Sequence, residues 1–246
     1  MGTRPELLKQ CLQSIREAGP AFVAIVAPDK KVVDYLDRTL FDLFVPDPML
    51  GLAAAINAGI SALPETASFV NWLGDDDLLT PGSLSITLNI LTNNPKAVLA
   101  YGGCEYIDEN GVLLWTNKSG RYASTLLHFG PQLIPQPGAL IRRDAYTAIG
   151  GLNTSYKWAF DLDLLFRLKK LGKLHFVDVT LAKFRWHEGS LSVGGRKGSV
   201  NEASSIRRAS LPRIFLVISL LWEIPMRRAI FSAGNRLNRK LKRNDE

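Results

Sequence analysis

Short hydrophobic runs alternate along the chain with segments whose apolar positions recur at helical spacing, and that alternation sets the expected architecture. Leu7, Leu8, Cys11, Leu12 and Ile15 follow Thr3 to Glu6, which has the form of a capping box with Thr3 accepting a backbone N–H and Glu6 reaching back. Gly19 and Pro20 stop this helix, and Ala21 to Ala27 (AFVAIVA) is a continuous apolar run of the kind a strand covered on both faces requires. The pattern next predicts a helix over 30–40, a strand over 41–45, a helix over 50–63 and a strand over 68–73. A helix opened by Thr80 and Pro81 should run to about residue 93, ahead of strands over 97–107 and 112–115 joined at Asn110-Gly111, a hairpin signal. A strand over 139–142, a helix over 160–171 and strands over 174–177 and 181–185 complete the series. The expected fold is α/β: a single Rossmann-like domain over residues 1–198 with a mixed, mainly parallel central sheet, followed by a tail over 199–246.

Composition supports a packed domain. Of 246 residues, 46% are hydrophobic and 22% charged, which excludes a disordered or fibrous chain. Cys11 and Cys104 lie far apart without CxxC spacing, which argues against a disulfide framework or a thiolate zinc site and fits a reducing cytoplasm. The charged start from Met1 to Glu6 carries no apolar run and so shows no secretory signal.

The net charge of +7 is concentrated at one end: residues 201–246 hold ten Lys/Arg against four Asp/Glu. There the run Ile214 to Trp222 (IFLVISLLW) has Arg207, Arg208 and Arg213 on one side and Arg227 and Arg228 on the other, with Glu223 and Pro225 ending it. Spanning a bilayer takes about 20 apolar residues, so the run is too short. Two readings stay open, a basic helical tail lying on an anionic membrane, the inner face of the cell membrane included, or a helix that packs into the core or a second copy. Nucleic acid is not expected as a partner, because the basic residues are not interleaved with stacking aromatics.

Candidate chemistry centres on Asp75, Asp76 and Asp77, three carboxylates at the carboxyl end of a strand, where open α/β sheets bind ligands. Adjacent like charges need a compensating cation, and hard ions such as Mg²⁺ and Mn²⁺ are commonly shared between carboxylates and substrate phosphates. The bland alternative is a solvated turn in which Asp77 or Thr80 caps the next helix. In the helix over 160–171, Asp161 shares a face with Leu164, Leu165 and Leu168 and points inward, which on its own reads as a helix cap as readily as a reactive carboxylate, whereas Asp163 lies off that face, within i, i+4 reach of Arg167 on the surface. His128 and His175 have no acidic or repeated spacing and read as packing or surface residues. His187 follows an apolar strand and precedes a Gly/Ser loop containing Ser190, Ser192, Gly194 and Gly195, which reads either as a phosphate-closing loop or as a linker.

Five segments resemble family 2 glycosyltransferases of the bacterial polysaccharide type, in the family's order. They are Gly51 to Ile60 (GLAAAINAGI), Trp72 to Leu84 (WLGDDDLLTPGSL), Gln136 to Leu152 (QPGALIRRDAYTAIGGL), Asp161 to Leu168 (DLDLLFRL) and Phe184 to Ser192 (FRWHEGSLS). The resemblance covers roughly residues 3–192. It implies a GT-A fold and an inverting transfer from a nucleotide-diphosphate sugar to a glycan or lipid-linked acceptor, assisted by Mg²⁺ or Mn²⁺. It assigns Asp161 as catalytic base, Asn57, Asp75 and Asp76 to the donor, Asp75, Asp77 and His187 to the metal, and Trp158 and Arg167 to the acceptor side. The chain also departs from the family. It starts inside the helix that normally follows the first strand, Ala27 to Lys30 (APDK) replaces the base-contacting Asp and its turn, and Met49 and Ala54 stand where donor-side acids are usual. These departures motivate a second reading, a non-catalytic GT-A-like protein that binds glycan or a partner through an eroded donor site. A sugar nucleotidyltransferase is a weaker third, because no Gly-rich phosphate loop is present.

Overall fold

The computed structural model describes residues 4–117, 120, 122–187, 195–211 and 220–244. Helix α1 (Pro5–Ala18) opens with Pro at its first turn, where the missing N–H breaks no helical bond, and buries Leu8, Cys11 and Leu12. Thr3 lies outside the described residues; Arg4 holds the N-cap position and makes no side-chain cap. Strands β1 (Ala24–Ala27) and β2 (Leu43–Pro46) pair in parallel as a separate two-stranded sheet. Between them the helix expected over 30–40 shrinks to one 3₁₀ turn, Lys30–Val33. Asp29 and Asp37 accept bonds from the backbone N–H groups of Lys31 and Thr39, and such local bonding competes with a helical ladder.

The chain continues through α2 (Leu52–Ser61), β3 (Phe69–Val70), β4 (Leu78–Leu79), α3 (Ser83–Asn93), β5 (Ala97–Ile107), β6 (Leu113–Asn117), α4 (Ala123–Leu126), β7 (Leu140–Arg142), α5 (Arg143–Ala148), α6 (Phe160–Leu171), β8 (Lys173–Arg185), α7 (Arg196–Ser210) and α8 (Leu220–Asn244). The larger sheet has the order β3-β7-β5-β8-β4, with β6 also on β5. It is mixed, as expected, but not mainly parallel: of its neighbouring strands only β5 and β8 pair in parallel, and the other pairs are antiparallel. Parallel neighbours need a crossover, and here only β8, which follows α6, returns beside β5 in its direction. The two strands expected over 174–177 and 181–185 are one strand, β8, whose register against β5 shifts near Tyr101 to Cys104. Gly102 sits at that irregularity, and a β-carbon there would collide with the Val179 carbonyl.

The main core gathers around β5, β7 and α6, where Leu99, Tyr101, Ile141, Leu162, Leu164 and Leu168 are at most 2% exposed. A smaller cluster joins α1 to β1 through Leu8, Leu12, Val23 and Ile25. Cys11 and Cys104 are buried free thiols.

The segment after residue 198 is not a detached tail. Ile206 belongs to the main core, and the buried Arg207 guanidinium donates to the Leu127 carbonyl. Glu223, 1% exposed, is paired with Arg208, and Asn238 accepts a 2.9 Å bond from the Trp186 indole. A boundary at 198 therefore cuts through α7. Helix α8 also runs on through Glu223 and Pro225 instead of ending there. Residues 212–219, most of the apolar run, lie outside the described residues, and no described helix is long and apolar enough to cross a membrane.

Candidate functional site

Strand β3 ends at Val70, and the chain loops through the acidic cluster into β4, which pairs with β8. This delivers the Asp75 to Asp77 segment to the carboxyl end of β8, where Arg185 and His187 lie. Asp77 turns inward: it is 4% exposed, and its Oδ1 accepts the Arg185 backbone N–H at 2.9 Å. Burial raises its carboxyl to about 7, against the pull of that bond and of the Arg185 charge. Asp77, expected as a metal ligand, fastens the loop to β8 here. Arg185 completes the fastening by donating to the backbone carbonyls of Asp76, Asp108 and Glu109. Asp77→Ala leaves the buried Arg185 N–H without its acceptor and is expected to lower stability by about 1–3 kcal/mol, with Asp77→Asn much milder. Denaturant melts of the two variants check this.

Asp76 faces the other way. Its Oδ2 lies 2.7 Å from His187 Nε2 and 2.7 Å from Arg4 Nη2, and Arg4 Nη1 is 3.2 Å from the same imidazole nitrogen. A carboxylate and an imidazole from distant parts of the chain therefore meet around one guanidinium. Asp75 is half-buried beside them.

Asp161 enters from α6. As its helical position predicts, it points inward, into a small cavity lined by Trp72, Gln132, Gln136, Leu164 and Leu165. Gln132 Nε2 donates to its Oδ2 at 2.7 Å, and the Leu162 N–H to its Oδ1 at 2.8 Å. Burial raises the carboxyl above the usual range, and these bonds pull it partly back. Trp72 lines the same cavity and stands three residues before Asp75, so one loop serves both carboxylate sites. Gln136 steadies that loop by donating to Asn71 Oδ1 and to the Trp72 carbonyl.

The remaining residues expected at the site brace the structure. Asn57 Oδ1 accepts from the Tyr146 hydroxyl and the Leu152 N–H, and its amide donates to the Leu152 carbonyl, tying α2 to the 146–152 turn. Arg167 pairs with Asp163 at 2.6 Å and donates to the Ile149 and Gly151 carbonyls. At 25% and 14% side-chain exposure this is a partly buried clasp, not the expected surface pair. Trp158 is half-buried with its ring against Gly198, where a β-carbon would come within 2.6 Å of it. Glu202 of α7 accepts the backbone N–H groups of Lys157, Trp158 and Ala159, and so fixes the entry to α6 immediately before Asp161. Glu202 carries no signal in the sequence because it stands in a charged, tail-like segment, and Arg4 and Gln132 carry none because their partners lie far along the chain. The His128 ring packs against Phe166, tilted by 58° with centroids 4.7 Å apart, in keeping with a packing role. Ser190, Ser192 and Gly194 lie outside the described residues.

Asp76 and His187 fit a divalent ion by donor type: a hard carboxylate oxygen and an imidazole nitrogen stand 2.7 Å apart, with the Arg4 guanidinium beside them. Among the described residues no cluster of three or more His, Cys, Asp or Glu forms there. A two-ligand site completed by substrate phosphates is ordinary for Mg²⁺.

No protein-family model matches the chain. Among curated proteins it is similar to an uncharacterized glycosyltransferase of Rickettsia felis, 29% identical over 160 residues, covering 61% of this chain and 26% of the relative. An uncharacterized glycosyltransferase of Rickettsia typhi is 30% identical over 148 residues, covering 56% of this chain and 45% of the relative. The chain thus spans between about a quarter and a half of the length of these relatives. Among solved structures it is similar to S. aureus TarS residues 1–349, with a TM-score of 0.59 at 12% identity, covering 94% of this chain and 71% of that one. The same TarS fragment in complex with UDP gives a TM-score of 0.56 at 11% identity, covering 82% and 61%. The chain has the fold of the TarS fragment and is related in sequence to proteins named glycosyltransferases.

Proposed function

We propose that this chain transfers a sugar, with inversion, from a nucleotide-diphosphate donor to a hydroxyl of a glycan or lipid-linked acceptor. The observation that carries the reading is the meeting of Asp76 and His187 around a cation, beside a loop whose Trp72 also lines the cavity of Asp161. The UDP bound by a TarS structure supports a nucleoside diphosphate as the ligand. Asp76 and His187 would hold Mg²⁺ or Mn²⁺, with Asp75 adjacent. The ion's contribution is charge neutralisation on the departing diphosphate. Asp161 accepts the proton of the attacking hydroxyl; its raised basicity follows from burial, and Gln132 fixes the orientation of its carboxylate. Glu202 and Gln136 hold the two segments that carry these groups. The test is release of nucleoside diphosphate from a panel of nucleotide sugars with Mn²⁺ present. Release that depends on both Mn²⁺ and an acceptor glycan supports the reading, and no release from any donor, with nucleotide still bound, favours the non-catalytic alternative.

The acceptor side of the proposal includes a lipid surface. Helix α8 packs Glu223, Met226 and Gly234 inward and presents Ile224, Arg228, Phe231 and Arg239 along one outer stripe. Basic residues flanking exposed apolar ones suit an anionic membrane, each Lys or Arg contributing about 1 kcal/mol near the surface. The full chain is expected to sediment with phosphatidylserine vesicles at low salt and to be released by about 0.5 M salt. Arg228→Glu with Arg239→Glu should lose this binding while melting normally, and equal binding to neutral vesicles contradicts it.

A further inference from the structure

Arg4 is the cation that lies against both the Asp76 carboxylate and the His187 imidazole, and its placement bears on how the site loads. Asp76 and His187 are held firmly, with 13% and 6% side-chain exposure, whereas Arg4 is 37% exposed and projects from the N-cap of α1. Its Nη2 lies 2.7 Å from Asp76 Oδ2 and its Nη1 3.2 Å from His187 Nε2. A divalent ion bound by that oxygen and that nitrogen would sit about 2.0–2.2 Å from each. That position is too close to the guanidinium for both cations to remain, on steric grounds and by like-charge repulsion.

We propose that Arg4 is an exchangeable counter-cation of this site, which gives up Asp76 when a divalent ion enters and then engages the oxygens of the bound diphosphate. The inference rests on the donor-site reading above and adds a role for Arg4 within it. A guanidinium displaced by a few ångströms from Asp76 remains beside the anion that accompanies the metal, and its planar fork matches phosphate oxygens as it matches a carboxylate. Arg4 therefore opposes the ion when the ion comes alone and favours it when nucleoside diphosphate comes with it. The two ligands bind synergistically, and the acidic site is kept neutralised between turnovers.

The test is a Mn²⁺ titration of the full chain followed by electron paramagnetic resonance of the free ion, with and without UDP, for wild type, Arg4→Gln and Asp76→Asn. Alone, Mn²⁺ should bind Arg4→Gln about three- to tenfold more tightly than wild type, the range expected for removing a partly exposed ion-pair competitor. With UDP present the order should reverse, Arg4→Gln binding Mn²⁺ more weakly. Equal Mn²⁺ affinity of wild type and Arg4→Gln without UDP overturns the exchange, and an order that does not reverse with UDP overturns the phosphate role. If Mn²⁺ binds and is lost in Asp76→Asn but ignores Arg4, this inference fails while the donor-site reading stands. If no variant binds Mn²⁺ under either condition, the metal reading fails and this inference with it. A melting curve of Arg4→Gln matching wild type shows that α1 is intact.

Discussion

Asp161→Asn is expected to reduce sugar transfer by about 10²–10⁴-fold, the usual contribution of a positioned general base, while leaving the melting transition within a few degrees of wild type. The amide oxygen can still accept the Leu162 N–H, Gln132 can turn its own amide to accept from the new Nδ2, and the volume among Trp72, Leu164 and Leu165 is unchanged, so the fold has little reason to change. Because burial raises the Asp161 carboxyl, the acid limb of kcat/KM should lie above the ordinary Asp range of about 4. Activity falls as pH drops through that limb, because the protonated carboxyl can no longer accept the hydroxyl proton. The asparagine variant should lack the limb. Asp163→Asn provides the contrast: it loosens the clasp to Arg167 and lowers stability, yet transfer should stay within severalfold of wild type. Equal activity losses in the two variants would remove the base assignment from Asp161.

A chain ended after Gly198 is expected to lose cooperative melting and to aggregate. It forfeits the burial of Ile206, about 1.5–3 kcal/mol for a side chain of that size, and strips the Lys157 to Ala159 N–H groups of the Glu202 carboxylate. Losing a charged acceptor shared by three backbone donors adds about 1–3 kcal/mol. Together these come to about 2.5–6 kcal/mol, as much as the whole stability of a domain at the lower end of the usual range of about 5–15 kcal/mol. Circular dichroism melts of the shortened and full chains decide it. A shortened chain that melts cooperatively within a few degrees of the full one would show that α7 is an appendage.

The truncation result bears on what the sequence can reveal. Helix α6 is legible to its last residue, because Leu162, Leu164, Leu165 and Leu168 bury one broad face and Gly172 ends it. The hairpin at Asn110-Gly111 is equally plain: Gly111 takes a positive φ of 85°, and Asp108 accepts from the Asn110 and Val112 N–H groups. Helix α7 is different. Its inward positions are few, Val200 and Ile206 with the small Ser204 between them and Arg207 after them, so its charge outweighs its pattern and it reads as a tail. The same limit governs the site. An inward Asp161 follows from helical spacing alone, but three adjacent aspartates carry no signal as to which one turns in. That Asp77 faces Arg185 and Asp76 faces His187 depends on the register of β4 against β8, a property of the sheet. The bracing bonds of Asn57 are equally invisible in the sequence, because the turn it holds, 146–152, lies about ninety residues away in the chain.

The most direct measure of the central claim, that Asp76 and His187 seat a divalent ion and a nucleoside diphosphate, is a calorimetric titration of UDP into the full chain. It should be run with Mn²⁺ and again in excess chelator, for wild type and Asp76→Asn. The account predicts saturable one-to-one binding with Mn²⁺, weakened at least tenfold by chelator and by Asp76→Asn alike. Binding of equal strength in chelator, or binding that is indifferent to Asp76→Asn, would contradict it.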